Sequence, residues 1–173
     1  MLMNSVKLLI GKLIMDYHSN MGFIRRYHTI EPRRGAKIHS TRGLCIKPSS
    51  IAKASCGVFT RRCFMKGDVI CGYEGDVYHI FHYLLIKDLS HLAKIDNLHM
   101  LLPYVNDYGS KINHHFDRSQ VNVYFLRNGI AKSITIVALR NINKNEELFT
   151  YYDDAHLYLQ AWSREIIERG VSS

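Results

Sequence analysis

Ala138-Leu139-Arg140-Asn141-Ile142-Asn143-Lys144-Asn145-Glu146-Glu147-Leu148, followed after three residues by Tyr152, is the most ordered-looking stretch of the chain. It starts at the end of an apolar run, Ile130 to Leu139, turns through Asn and Lys, and returns as a short strand over Glu147 to Tyr151. Working upstream, Val121 to Arg127 and Ile130 to Leu139 flank Asn128-Gly129, a dipeptide that tolerates the positive φ angles of a two-residue type I′ hairpin turn. Two shorter β-type runs, Gly57-Val58-Phe59-Thr60 and Val69-Ile70-Cys71-Gly72-Tyr73, are separated by the turn signal Lys66-Gly67-Asp68. Between the two β blocks, Ile80, Phe81, Leu84, Leu85 and Leu89 recur at three and four residues, which predicts helix over 78–93. A second helix is expected over Ala155 to Arg169, with Tyr158, Trp162 and Ile166 on one side, Asp153 or Asp154 as N-cap and Gly170 as its stop.

Charge separates the front of the chain from the rest. Of 173 residues with a net charge of +8, the first 50 carry nine Lys or Arg against Asp16 and Glu31, a net of +7, leaving +1 for the other 123. A basic arm is attracted to nucleic acid, an anionic membrane or an acidic protein with little discrimination, and a plain solvated face is an equally good reading. The 47% apolar, 22% charged composition excludes wholesale disorder, and this length supports a core without disulfides or a structural metal. Apolar stretches such as Leu8 to Met15 are broken by Gly11 and Lys12 and fall short of a membrane span. Cys45, Cys56, Cys63 and Cys71 form no CxxC pair, which argues against an all-cysteine zinc site and for reduced, mostly buried thiols. His79, His82, His114 and His115 lack a carboxylate or cysteine at ligand spacing, so no metal is expected. The acid-poor first thirty residues keep a mitochondrial presequence open.

Three segments gain meaning from their order. Ser55-Cys56-Gly57-Val58-Phe59, a KG turn and Tyr73-Glu74-Gly75-Asp76 come first; Ile112-Asn113-His114-His115-Phe116-Asp117-Arg118-Ser119 follows; the closing stretch ends in Tyr152. Together they resemble the SET domain of protein lysine methyltransferases, whose patterns are GxGVF with YxGE, NHSCxPN, and ALRxIxxGEEL with a tyrosine. The resemblance covers roughly residues 43–154. It implies a mainly β fold with helical insertions: a β-clip-like arrangement of small curved sheets, a threaded pseudoknot between the central and closing segments, and a C-terminal helix. The division that follows is a basic arm over 1–42, a SET domain over 43–154 with a helical insert at about 78–108, and a flanking helix over 155–173.

The same resemblance implies S-adenosylmethionine as cofactor and a target lysine, on a histone tail, entering a channel from the opposite face. Cys56, Gly57, Val58, Asn113, His114 and Tyr152 would hold the cofactor, with Gly57 permitting close approach. Tyr152 would be the catalytic residue, and Tyr73, Tyr151 and Trp162 would wall the lysine channel, although Tyr73 serves a core equally well and Trp162 serves helix packing. Methylation of chromatin in the nucleus and DNA contact through the arm complete what is implied. The pattern is eroded: Ser55 replaces the first glycine of GxG, and His115-Phe116, Arg118 and Ser119 replace the SC, the proline and the asparagine of NHSCxPN. Two other readings remain open, a SET-like interaction module without turnover and a small basic nucleic-acid-binding protein. The first predicts no micromolar binding of S-adenosylmethionine, and the second predicts that deleting residues 1–40 abolishes all activity.

Overall fold

In the computed structural model, residues 43–79 and 91–152 are described. The expected helix over 155–169, Trp162 and the arm lie outside them. Four small sheets enclose one core of residues such as Val58, Phe64, Ile70, Ile112, Val123, Ile136 and Leu148. β1 (Leu44–Lys47) pairs antiparallel with β2 (Gly57–Thr60), and its Leu44-Cys45 half is buried while its Ile46-Lys47 half is exposed. The chain then turns at Met65-Lys66-Gly67-Asp68, where Asp68 N–H donates to Met65 O at 2.9 Å. Gly67 supplies the positive φ of 85° that this turn needs, as the Lys-Gly-Asp signal predicts.

β3 (Val69–Tyr73) joins β9 (Ser133–Ala138), which also pairs with β8 (Val123–Asn128), giving the order β3-β9-β8. Both faces of this sheet contribute to the core, which fits its runs of Val and Ile. The β8–β9 connection differs from the expected two-residue turn. Asn128 pairs with Ser133, so four residues form the loop, and Lys132 rather than Gly129 takes the left-handed conformation at φ 52°. The cause is the Asn128 side chain: its Oδ1 accepts from the N–H groups of Ile130 at 3.1 Å and Ala131 at 2.9 Å, closing a wider turn.

The insert also departs from expectation. β4 (Gly75–His79), β5 (Ala93–Lys94) and β6 (His99–Pro103) form a sheet of order β4-β6-β5. Tyr78 and His79, expected in a helix, are strand residues opposite Met100 and His99, and the stretch 93–103 of the expected 78–108 helical insert contains two strands. Helical periodicity is a local signal, whereas these residues answer to ladder partners about twenty positions away. Residues 80–90 are outside the described set.

The remaining sheet is the smallest and the one that builds the site. β7 (Asn113–His114), entered from a single 3-10 turn at Gly109–Lys111, runs parallel to β10 (Phe149–Thr150), with Asn113 opposite Phe149 and His114 opposite Thr150. The central and closing segments, 36 positions apart by this register, therefore lie side by side.

Candidate functional site

Three strand ends converge beside β7 and β10. The isolated bridge between Phe59 and Glu147, with Leu148 N–H donating to Val58 O at 2.8 Å and Thr60 N–H to Glu146 O at 3.0 Å, lays the closing segment along β2. Asn122 locks the other side of it. This side chain is fully buried, donates through Nδ2 to Glu147 O at 2.7 Å and Glu146 Oε1 at 3.2 Å, and accepts from Phe149 N–H at 2.8 Å. A buried amide that satisfies donor and acceptor in this way carries no desolvation penalty and fixes the relative placement of three backbones.

Asn113 faces the start of β2. Its Nδ2 donates to Cys56 O at 2.8 Å and Ser49 Oγ at 3.1 Å and lies 3.4 Å from Glu147 Oε1. Three acceptors around one amide nitrogen fix which end of the side chain is which, leaving Oδ1 directed away from them. Gly57 sits against the same group. A Cβ there would overlap Glu147 Oε1 outright and lie 3.1 Å from Asn113 Nδ2, so the close approach that the missing side chain permits is used by Glu147. Val58 is buried in the core and Cys56 is half-buried with its carbonyl toward Asn113.

His114 and Tyr152 are joined directly. Tyr152 N–H donates to His114 Nδ1 at 2.9 Å, and the two rings stack at 5.4 Å with planes 28° apart. An accepting Nδ1 in a neutral ring places the proton on Nε2, and that buried atom has no hydrogen-bond partner among the described residues. Burial, aided by neighbouring His115, holds the His114 pKa below its usual value, so the ring is neutral near pH 7. Tyr152 donates its hydroxyl to Ile112 O at 2.8 Å, and burial pushes its pKa up to about 12. It is therefore a protonated phenol near neutral pH.

Two of the eroded positions, Phe116 and Arg118, lie around His114, the second through Tyr151. Phe116 meets His114 edge-on at 4.5 Å, Tyr151 packs on it at 5.1 Å, and the Arg118 guanidinium lies 4.6 Å over the Tyr151 face. Tyr73 is a core residue: it is buried, packs against Phe125 at 5.6 Å and donates its hydroxyl to His91 O. Burial first, then the nearby Tyr152 and Asp107, raise its pKa far above the ordinary phenol value. Asp107 is another buried group at this end, accepting from Glu74 N–H at 3.1 Å and Ser110 N–H at 2.6 Å, with its pKa raised by burial. Sequence reading missed Asp107, Asn122, Glu147, Ser49 and Ser50 as parts of this region. Only Glu147 lies in a quoted motif, and its role there is set by contacts 98 positions away in the chain. Among the described residues, no group of three or more His, Cys, Asp or Glu is placed to hold a metal ion, and no helix is long and apolar enough to cross a membrane. Cys45 and Cys71 are buried free thiols, and Cys63 is an exposed one.

The sequence pattern of the SET domain matches residues 55–153. The chain belongs to the SET-domain family. Two solved structures share the fold. One is ctPRC2 in an autoinhibited conformation bound to S-adenosylmethionine, 17% identical with a TM-score of 0.57 over 75% of this chain and 17% of that one. The other is a humanized mutant of the Chaetomium thermophilum Polycomb Repressive Complex 2 bound to the inhibitor GSK126, 20% identical with a TM-score of 0.57 over 74% of this chain and 16% of that one. At these identities the likeness concerns the fold, and this chain spans under a fifth of either structural relative. No curated protein sequence matches.

Proposed function

We propose that the chain is an S-adenosylmethionine-dependent protein-lysine N-methyltransferase acting on a histone tail. The observation that carries this reading is that β7, which holds Asn113 and His114, lies along β10 with His114 Nδ1 accepting from Tyr152 N–H, in the family whose members perform this reaction. The buried Nε2–H of His114 wants an acceptor, and Asn113 Oδ1 turns away from its own network, so both polar ends suit a nucleoside amino acid bound beside Cys56-Gly57. The ctPRC2 relative is bound to this cofactor. The cofactor supplies a methyl group that is already electrophilic.

What the chain supplies is position and exclusion of water. A lysine has a pKa of about 10.4, and a desolvated channel favours its neutral form. Tyr152 remains protonated and donates to Ile112 O, which places its oxygen to orient the incoming amine and to contact a polarised methyl by weak CH···O bonds. It therefore acts by orientation rather than as a base. Tyr151 walls the approach, whereas Tyr73 stays in the core beneath it. Exposed Glu74 and Asp76 give the rim a negative edge for a basic tail. The basic arm holds nucleosomal DNA in the nucleus, with an affinity that falls steeply as salt rises.

The test is incubation of wild type and Tyr152→Phe with labelled S-adenosylmethionine and mixed histones. Label on a histone that drops sharply in the variant supports the reading. Absence of label with wild type, together with no micromolar binding of S-adenosylmethionine, would instead favour the interaction module suggested by the altered NHSC positions.

A further inference from the structure

The family pattern begins at residue 55, yet the site is tied down from upstream of that point. Glu147 is a buried carboxylate held entirely by neutral donors. Ser49 Oγ–H donates to Oε1 at 2.6 Å, Ser50 Oγ–H and N–H donate to Oε2 at 2.7 and 2.8 Å, and Asn113 Nδ2 stands 3.4 Å from Oε1. No Lys, Arg or His among the described residues forms an ion pair with it. Burying a lone carboxylate is expensive unless several donors converge on it, and here they come from opposite ends of the domain.

The network has a direction. Ser49 Oγ accepts from Asn113 Nδ2 at 3.1 Å while its own proton goes to Glu147, so the carboxylate fixes the hydroxyl and the hydroxyl fixes the amide. The second amide proton is committed to Cys56 O at 2.8 Å. Both amide protons are thereby spent within the network, and Asn113 can present only its oxygen elsewhere. Ile51 N–H also donates to Ser49 Oγ at 3.1 Å, which holds the segment after β1 in the same arrangement.

We infer that Glu147 is a positioning residue for the cofactor and that Ser49 and Ser50 form a strap completing its site. Acting through Ser49, Glu147 sets the amide orientation of Asn113 and the carbonyl of Cys56. This inference rests on the cofactor reading above. Removing the strap's donors frees Asn113 to rotate, so the loss falls on cofactor affinity rather than on the lysine channel.

The experiment titrates the full chain with S-adenosylmethionine by calorimetry, for wild type, Ser49→Ala/Ser50→Ala, Glu147→Gln, Asn113→Ala and the combinations with Asn113→Ala, alongside thermal melting. The strap variant should stay folded and lose roughly tenfold in cofactor affinity, the scale of one or two hydrogen bonds. Its KM for cofactor should rise while its KM for a lysine peptide stays put. Combined with Asn113→Ala it should lose no more than the worse single variant, since both act through one amide. Wild-type affinity in the strap variant, or losses that simply add, would overturn the inference while leaving the cofactor reading intact. A wild type that binds no cofactor would overturn both. Should Glu147→Gln fail to fold, the strap variant and its combination decide the matter alone.

Discussion

The β7–β10 junction and the β4–β5–β6 sheet are both held by polar side chains, in opposite styles. At the junction, Asn122, Asn113 and Glu147 are bonded to backbone and hydroxyl groups far away in sequence, and Asn122 and Glu147 are buried. In the outer sheet, Asp96 is partly exposed and its side-chain partners are His99 Nδ1 at 2.9 Å, three positions on, and the ammonium of Lys132 at 3.0 Å. Burial alone would raise the Asp96 pKa, but N–H bonds from Leu98 and His99 with the Lys132 and His99 side chains hold it well below the usual range. The contrast teaches where this fold concentrates specificity. Misplacing a satisfied buried group costs its whole desolvation penalty, whereas loosening an exposed ion pair returns both charges to water.

Substitutions test that contrast, with the strongest effect at the reacting centre. Tyr152→Phe removes the oxygen but keeps the ring stacked on His114, so methyl transfer should fall by about 10²–10³-fold with the melting temperature little changed. Steady-state transfer rates beside a melting curve check this. Asn122→Ala strands Phe149 N–H and the Glu147 carbonyl inside the core, and chemical denaturation should show a loss of roughly 3 kcal/mol. Gly57→Ala drives a methyl into Glu147 Oε1; the expected cost is about 1–3 kcal/mol, with weaker cofactor binding as its companion.

A pH series sharpens the comparison at smaller scale. His114 has a lowered pKa, so the folded site prefers the neutral ring: its contribution is complete above the ordinary imidazole value of about 6.5 and is lost as pH falls below it. Protonation places a hydrogen on Nδ1, which then repels Tyr152 N–H. Cofactor affinity should accordingly hold near neutrality and drop in mild acid, and replacing His114 by Asn should remove that acid limb. The smallest effect belongs to the outer sheet. Lys132→Ala should change stability by no more than about 0.5 kcal/mol, a difference that high salt erases.

What the sequence made legible follows the same division. The Lys66-Gly67-Asp68 turn and strands β2 and β3 appear where the local pattern put them, because a positive-φ glycine and β-branched runs act within a few residues. β8 and β9 also appear, β8 starting two residues later and ending one residue further on, β9 trimmed at both ends, because the same kind of run marks them. The motif order made the family legible, and with it the contact of His114 with Tyr152 and of Asn113 with Cys56. The tight turn at Asn128-Gly129 was misread because an Asn side chain can cap a wider loop as readily as it enters a narrow one. Strand at Tyr78 and His79 was hidden by an apolar period that continues past them. The Ser49–Glu147–Asn113 network left no local signal at all, since each member looks like an ordinary polar residue until the chain brings them together.

The most direct measurement is a nuclear magnetic resonance titration of the full chain with S-adenosylmethionine, following the Asn113 side-chain amide, the His114 Nε2–H and the Tyr152 backbone amide. All three signals should shift along one saturating curve with a common midpoint, because they border one bound molecule. Signals that stay still while the cofactor binds, or that respond with separate midpoints, would contradict a single site built from the central and closing segments.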